Sequence, residues 1–217
     1  MSEQPAWPLP RVGRIADFLP TDEHRALLDW VLASEGRFRP AKVLGTGPKG
    51  IVDAETRIAL TSRDFGPLRS LLEQRLFGAL PQLEQATGCK AGATSLEMEL
   101  AAHGDGAHYK PHVDISTGEG RRVVGAKPGE DRVLSGVYYL HRHPKQFTGG
   151  ALRLFRMHVR PSSGPVGRED YIDLEPVDNS LIAFPSWTTH EVLTVRCPSG
   201  AFADYRFALN CWFCRRL

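Results

Sequence analysis

From Cys89 to the C-terminus the chain is a succession of short apolar segments, each closed by glycine, proline or small polar residues. The segments fall at 95–102, 133–141, 151–155, 171–174, 180–184, 190–195 and 206–213. Several short strands at such spacing predict a sandwich or barrel. Ahead of them the periodicity is helical. Thr21, Asp22 and Glu23 offer an N-cap and an acidic first turn, and Leu27, Leu28, Trp30 and Val31 then share a face until Gly36. A second helix is expected from near Pro67, with Leu68, Leu71, Leu72 and Leu76 on one side and Pro81 opening a new turn. Between the helices, residues 37–64 contain GTGPKG and read as a loop with short extended pieces. The expected fold class is mainly β with N-terminal helices (α+β): a jelly-roll-like core with the helices packed on one sheet. One domain would cover 1–217, with 1–90 as helical support and 91–217 as the core.

Composition bounds the function. At 217 residues, 41% hydrophobic and 24% charged, the chain has enough apolar content for a proper core, which excludes disordered, collagen-like and fibrous classes. Uncharged runs such as 179–189 fall short of the ~18 residues that span a bilayer. The opening MSEQPAWPLPRVGRI lacks the basic start and apolar block of a signal peptide. Four cysteines are too few for a disulfide scaffold, so a reducing, cytoplasmic setting is expected. With 27 basic and 25 acidic residues, charge gives no reason to expect nucleic acid or a membrane surface as partner.

The chemistry concentrates in two places. In HYKPHVD, His112 and Asp114 are two residues apart, so on extended backbone the imidazole and carboxylate face the same side. His190, in FPSWTTHEVLTV, is the candidate third ligand. Two histidines and one carboxylate form the facial triad that leaves coordination positions open on Fe(II). Taken alone, one H-x-D among eight histidines is close to a chance event, and His190 beside Glu191 is a common surface pairing. The second place is the last strand, where Arg206, Ala208, Asn210 and Trp212 alternate with Phe207, Leu209 and Cys211. Arg206 is either a strand-end side chain reaching solvent or a buried cation awaiting a dianionic ligand. In the second case a bidentate guanidinium–carboxylate pair would hold that ligand.

In order along the chain stand HYKPHVD, RVLSGVYYLH, FTGGALRLF, DLEPVDNSLIAFPSWTTHEV and YRFALNCWF. With this ordered set the sequence resembles the Fe(II)- and 2-oxoglutarate-dependent dioxygenases, in their prolyl 4-hydroxylase-like branch. The N-terminal IADFLPTDEHRALLDWV is similar to the helical entry of that branch. The resemblance implies a double-stranded β-helix with Fe(II) held by His112, Asp114 and His190 as the catalytic centre. It implies that Arg206 grips the distal carboxylate of 2-oxoglutarate, that Tyr139 shares it through its hydroxyl, and that Leu152 and Asn210 line the same pocket. Tyr138 would face the other way, into packing. O2 and 2-oxoglutarate would be consumed, succinate and CO2 formed, and ascorbate would support turnover.

The retained acid at Asp114 favours hydroxylation over halogenation, since related halogenases replace it with a small residue. The expected substrate is a prolyl residue in a peptide or protein, or a related amino-acid unit. The alternatives are a free amino acid or small metabolite, or a non-catalytic jelly-roll module that binds metal or ligand. Oligomeric state is not legible.

Two departures from the family pattern stand out. Arg206 lies farther past His190 than the family places its anchor, with CPSGAFAD between, so Arg196 is a rival. His103 stands where a tyrosine is common. Gly149 and Gly150 read as a tight turn. The connection 116–131 is expected to be a lid, and the loop 42–57, with Arg57, a substrate contact. Cys211 and Cys214 are expected to face opposite sides of a strand, and His141 and His143, despite their H-x-H spacing, to form a surface turn before Pro144 rather than a second metal site. His108 stands either at the mouth of the site or on the surface.

Overall fold

A computed structural model describes residues 8–43, 50–115, 129–157 and 167–216. Two helices, α1 (Thr21–Ala33) and α2 (Arg69–Thr87), accompany fourteen strands. In chain order the strands are β1 (Gly13–Ile15), β2 (Arg39–Pro40), β3 (Arg57–Ile58), β4 (Leu60–Ser62), β5 (Ser95–His103), β6 (His108–His112) and β7 (Glu130–Leu140). There follow β8 (Thr148–Gly149), β9 (Leu152–Phe155), β10 (Tyr171–Leu174), β11 (Ser180–Pro185), β12 (His190–Val192), β13 (Val195–Arg196) and β14 (Arg206–Arg216). The major sheet has the order β1-β11-β7-β14-β5-β4-β2, and the minor sheet β10-β9-β12-β6-β3. Their neighbouring strands pair antiparallel, giving the jelly-roll core of a double-stranded β-helix.

Period-two alternation divides the major sheet into two faces with different tasks. Leu209, Cys211 and Phe213 of β14, Met98 and Leu100 of β5 and Tyr138 and Leu140 of β7 pack outward. There they form one cluster with Leu27 and Val31 of α1 and Leu72, Leu76 and Leu83 of α2. The opposite face carries Arg206, Ala208, Asn210 and Trp212 of β14. In register beside them lie His103, Ala101, Glu99 and Glu97 of β5, and Tyr139, Val137 and Ser135 of β7. A smaller apolar cluster, Tyr139, Leu152, Leu154, Leu174, Ile182, Phe184 and Ala208, closes one end of the space between the sheets. The helices therefore bury the apolar face and leave the polar face for chemistry.

The helices depart from expectation at their ends. Pro20, not Thr21, occupies the N-cap of α1, with no side-chain cap bond, and Thr21 is the first helical residue. Gly36 lies in a short 3-10 turn, Glu35–Arg37, beyond the end of α1 at Ala33. The segment Gly66–Leu68 is likewise 3-10, and α2 begins at Arg69. Pro81 does not open a new turn; it lies inside α2, which runs on to Thr87 and ends on Gly88 at φ 68°. Pro81 is exposed, so water can satisfy the carbonyl freed by its missing N–H, while Leu76 and Leu83 stay buried on either side. The segment expected as one strand over 190–195 divides into β12 and β13, which belong to different sheets.

Candidate active site

In the minor sheet β12 lies antiparallel to β6, with His190 directly opposite His112. The ring centroids are 4.1 Å apart. His112 donates Nδ1–H to the carbonyl of Lys110 (2.8 Å), and His190 donates its own to the carbonyl of Thr188 (2.9 Å). A carbonyl only accepts, so both rings are fixed in the tautomer that leaves the Nε2 lone pair free for a metal. β6 ends at His112, and Asp114 sits beyond it in a bend rather than on the strand. Its backbone N–H donates to the Ser186 carbonyl (2.9 Å). The Ser135 hydroxyl of β7 donates to Asp114 Oδ2 at 2.7 Å, with Ser186 Oγ 2.9 Å from that hydroxyl. Asp114 Oδ1 is then 3.9 Å from His112 Nε2, and Oδ2 is 3.5 Å from His190 Nε2. One ligand atom from each of the three residues lies within 4.8 Å of the others.

Electrostatics favour the metal-ready protonation states. Burial, reinforced by the neighbouring His190, pushes His112 down to about 3, so its imidazole is neutral near pH 7. For Asp114 burial works upward, but His190, His112, Arg132 and the Ser135 hydrogen bond outweigh it and hold the carboxyl at about 2. Tyr109 stacks on His112 at 3.6 Å, and the Arg57 guanidinium lies 4.8 Å over the Tyr109 ring. Phe184 meets His190 edge-on at 4.7 Å.

Arg206 is 1% exposed. Its Nη1 donates to His103 Nδ1 at 3.2 Å, across the β14–β5 pair in which the two residues are direct partners. His103 is itself buried, and burial followed by the Arg206 charge keeps it neutral well below its ordinary 6.5. The Tyr139 ring lies 4.9 Å from the guanidinium carbon. Tyr139 Oη and Arg206 Nε are both buried without a hydrogen-bond partner among the described residues. The acids on the same face are engaged elsewhere: Glu97 with Arg132 at 2.6 Å, and Glu99 with Arg57 at 3.2 Å and Arg63 at 3.4 Å. A buried cation beside an orphaned hydroxyl is costly unless an anion completes it, and a carboxylate fits both donors. Gly150, at φ 70°, makes room for the anchor: a Cβ there would stand 2.6 Å from Arg206 Cδ.

A cavity of about 340 Å³ joins the two regions; it is lined by His112, Asp114 and His190, by Leu152, Phe184 and Asn210, and by His103 and Arg206. Lys42, Asp53, Thr56 and Arg57 of the 42–57 loop close another side. Arg196 is exposed on β13 opposite Thr148, outside this lining, and Arg206 does not reach solvent as a strand-end residue would. His108 is half-buried with Nδ1 on the Gly106 carbonyl, also outside the lining. Cys211 packs in the outer core, while Cys214 Sγ lies 3.7 Å from Glu97 Oε1. Of the expected lid over 116–131, residues 116–128 lie outside the described residues. Sequence reading missed Ser135, Ser186 and Tyr109; only the nearness of Tyr109 to His112 and of Ser186 to His190 hinted at them. It also placed His143 on a surface turn with His141, whereas His141 is buried.

A family model described as 2OG-Fe(II) oxygenase superfamily matches residues 98–214. An uncharacterised PKHD-type hydroxylase of Synechocystis sp. is 28% identical over 206 residues, which are 94% of this chain and 63% of that relative. The chain thus spans less than two thirds of the curated relative's length. Among solved structures, a Pseudomonas putida prolyl-4-hydroxylase aligns with TM-score 0.64 at 24% identity, covering 95% of this chain and 94% of that one. A Trichoplax adhaerens prolyl hydroxylase, in complex with a hypoxia inducible factor peptide fragment, aligns at 0.62 and 17%, covering 93% and 82%. The viral collagen prolyl hydroxylase of Paramecium Bursaria Chlorella virus-1 aligns at 0.57 and 15%, covering 95% and 97%.

Proposed function

The chain belongs to the 2OG-Fe(II) oxygenase superfamily, and from that premise we propose that it hydroxylates a prolyl residue or a related amino-acid unit. In this reading His112, Asp114 and His190 hold Fe(II), Arg206 and Tyr139 hold the distal carboxylate of 2-oxoglutarate, and Leu152 and Asn210 wall the pocket. Bound iron and cosubstrate supply oxidation of a C–H bond by O2, coupled to conversion of 2-oxoglutarate to succinate and CO2.

The protein's own part is placement. Lys110 and Thr188 carbonyls hold the two rings, Ser135 holds the carboxylate, and His103 holds the guanidinium. Leu152 and Phe184 keep the space between the two ends apolar. The observation that carries the reading is one cavity with a three-residue ligand set at one end and, at the other, a buried cation whose Nε has no hydrogen-bond partner among the described residues.

Three of the structural neighbours are prolyl hydroxylases, one of them in complex with a peptide fragment, which supports a peptide substrate. A free amino acid or small metabolite is the second reading; the charged groups of Lys42, Asp53 and Arg57 on the cavity wall favour it, because a small zwitterion needs both signs of charge. Succinate formation from 2-oxoglutarate, with Fe(II) and ascorbate, screened against peptide and amino-acid pools, separates the two. Stimulation by proline-containing peptides supports the first reading, and stimulation by free amino acids alone supports the second. No succinate under any condition would leave a non-catalytic binding module.

A further inference from the structure

Three histidines converge on one carboxylate at the end of β7 away from the iron ligands. Asp178, in the turn between β10 and β11, has Oδ2 at 2.9 Å from His143 Nε2 and 3.1 Å from His24 Nε2. Its Oδ1 accepts the backbone N–H of His141 at 2.9 Å. His141 and His143 follow directly after Leu140, the last residue of β7, and their rings are 5.1 Å apart. His141 gives Nδ1 to the Arg142 carbonyl at 3.0 Å, which leaves Nε2 with its lone pair. One ligand atom from each of His141, His143 and Asp178 lies within 4.8 Å of the others.

We propose that His141, His143 and Asp178 form a second divalent-metal site, selective for a nitrogen-preferring ion such as Zn2+. Two imidazoles and one carboxylate suit Zn2+ and disfavour Mg2+ and Ca2+, which take oxygen ligands. Binding through Nε2 of His143 replaces its hydrogen bond to Asp178 with a bond to the ion, and the ring proton then sits on Nδ1. His24, whose Nδ1 is 2.6 Å from the Tyr138 hydroxyl, meets the same carboxylate oxygen, Oδ2, as His143. The next residue, Asn179, already binds the chain entry: its side chain pairs with both the N–H and the carbonyl of Leu19 (3.0 and 2.9 Å). An ion here therefore ties the segment leading into α1, the end of β7 and the β10–β11 turn together. It sits two residues past Tyr139, at the close of the strand that also supplies Ser135.

The test is metal stoichiometry on untagged protein. Wild type is expected to bind two equivalents of Zn2+ per chain, one at each cluster. His143→Ala, at a side chain 71% exposed and so compatible with folding, should bind one. His112→Ala should bind one, and the double variant none. In the His112→Ala background Zn2+ should still raise the melting temperature, and in His112→Ala/His143→Ala it should not. A single equivalent in wild type, or two retained in His143→Ala, would overturn the proposal. Asp178→Asn serves as a second removal should His143→Ala unfold.

Discussion

At Arg206 a permanent cation is held almost wholly out of water; its Nη1 meets the His103 imidazole, the Tyr139 ring lies 4.9 Å from its guanidinium carbon, and no ion pair completes it among the described residues. Such a group is tolerable when an anion completes it. Arg206→Ala is expected to raise the 2-oxoglutarate requirement by about two to three orders of magnitude, as for loss of one partner of a buried charge pair, measured as KM in the succinate assay. Arg206→Lys should not restore it, because a lysine lacks the planar fork. His103 works through Arg206 and is a positioning residue. His103→Ala should raise the same KM by about tenfold, one hydrogen bond's worth, with kcat little changed, and His103→Gln, which keeps an acceptor, should recover part of it. Equal KM in wild type and His103→Ala would remove that role.

His103 and His112 are both held neutral by burial, with folded pKa values below those of the unfolded chain. Each therefore contributes stability that is complete above about pH 6.5 and is lost as pH falls, by up to ~1.4 kcal/mol per pH unit per ring. Urea midpoints of the metal-free protein should drop between pH 7.5 and 5.5, and drop less steeply in His103→Gln. At this scale the convergence of His112, Asp114 and His190 was expected from their residue types and order, and their ligand atoms do lie within 4.8 Å of one another. Ser135 and the pairing of His103 with Arg206 were not, because cross-strand register brings them together and chain spacing does not encode it.

Single elements show where local propensity yields to packing. Pro81 in the middle of α2 removes a backbone donor, yet the helix continues because the Leu72, Leu76 and Leu83 face is buried. A sequence rule that ends helices at proline fails there, whereas the alternation of β14 was plain because one face packs against the helices and the other lines the cavity. Pro81→Ala should stabilise the protein by about 1–3 kcal/mol, from the helix-interior difference between the two residues, read as a raised urea midpoint at unchanged activity. The Gly149–Gly150 corner between β8 and β9 acts in the opposite sense. Gly150→Ala adds a Cβ at φ 70° and drives it against Arg206 Cδ. It should therefore lose both stability and cosubstrate affinity, detected as a lower midpoint together with a higher 2-oxoglutarate KM.

Across the whole molecule the division of labour is between sheet faces. Two helices cover the outer face of the major sheet, which frees the inner face and the minor sheet to enclose a polar cavity without exposing the core. The ligand set is drawn from β6, the bend that follows it and β12, and is steadied by Ser135 of the other sheet, so metal binding should be felt by the entire fold. At one hundred times its dissociation constant, Fe(II) under anaerobic conditions should add ~2.7 kcal/mol, or roughly 5–10 °C in melting temperature for a chain of this size. The gain should be reversed by a chelator, smaller in His112→Ala and absent in His112→Ala/His143→Ala. The layered fold was legible from the change of periodicity near Cys89. The His24–His141–His143–Asp178 cluster was not, since its members come from three separated segments.

If the three proposed ligands and Arg206 serve one cavity, anaerobic titration of 2-oxoglutarate into Fe(II)-loaded protein reports on all four side chains at once. A visible metal-to-ligand charge-transfer band should grow and saturate at one equivalent in wild type. It should be lost in His190→Ala and need far more cosubstrate in Arg206→Ala. A band of full strength in His190→Ala, or the same titration curve in Arg206→Ala as in wild type, would show that these residues do not hold the metal and its cosubstrate together.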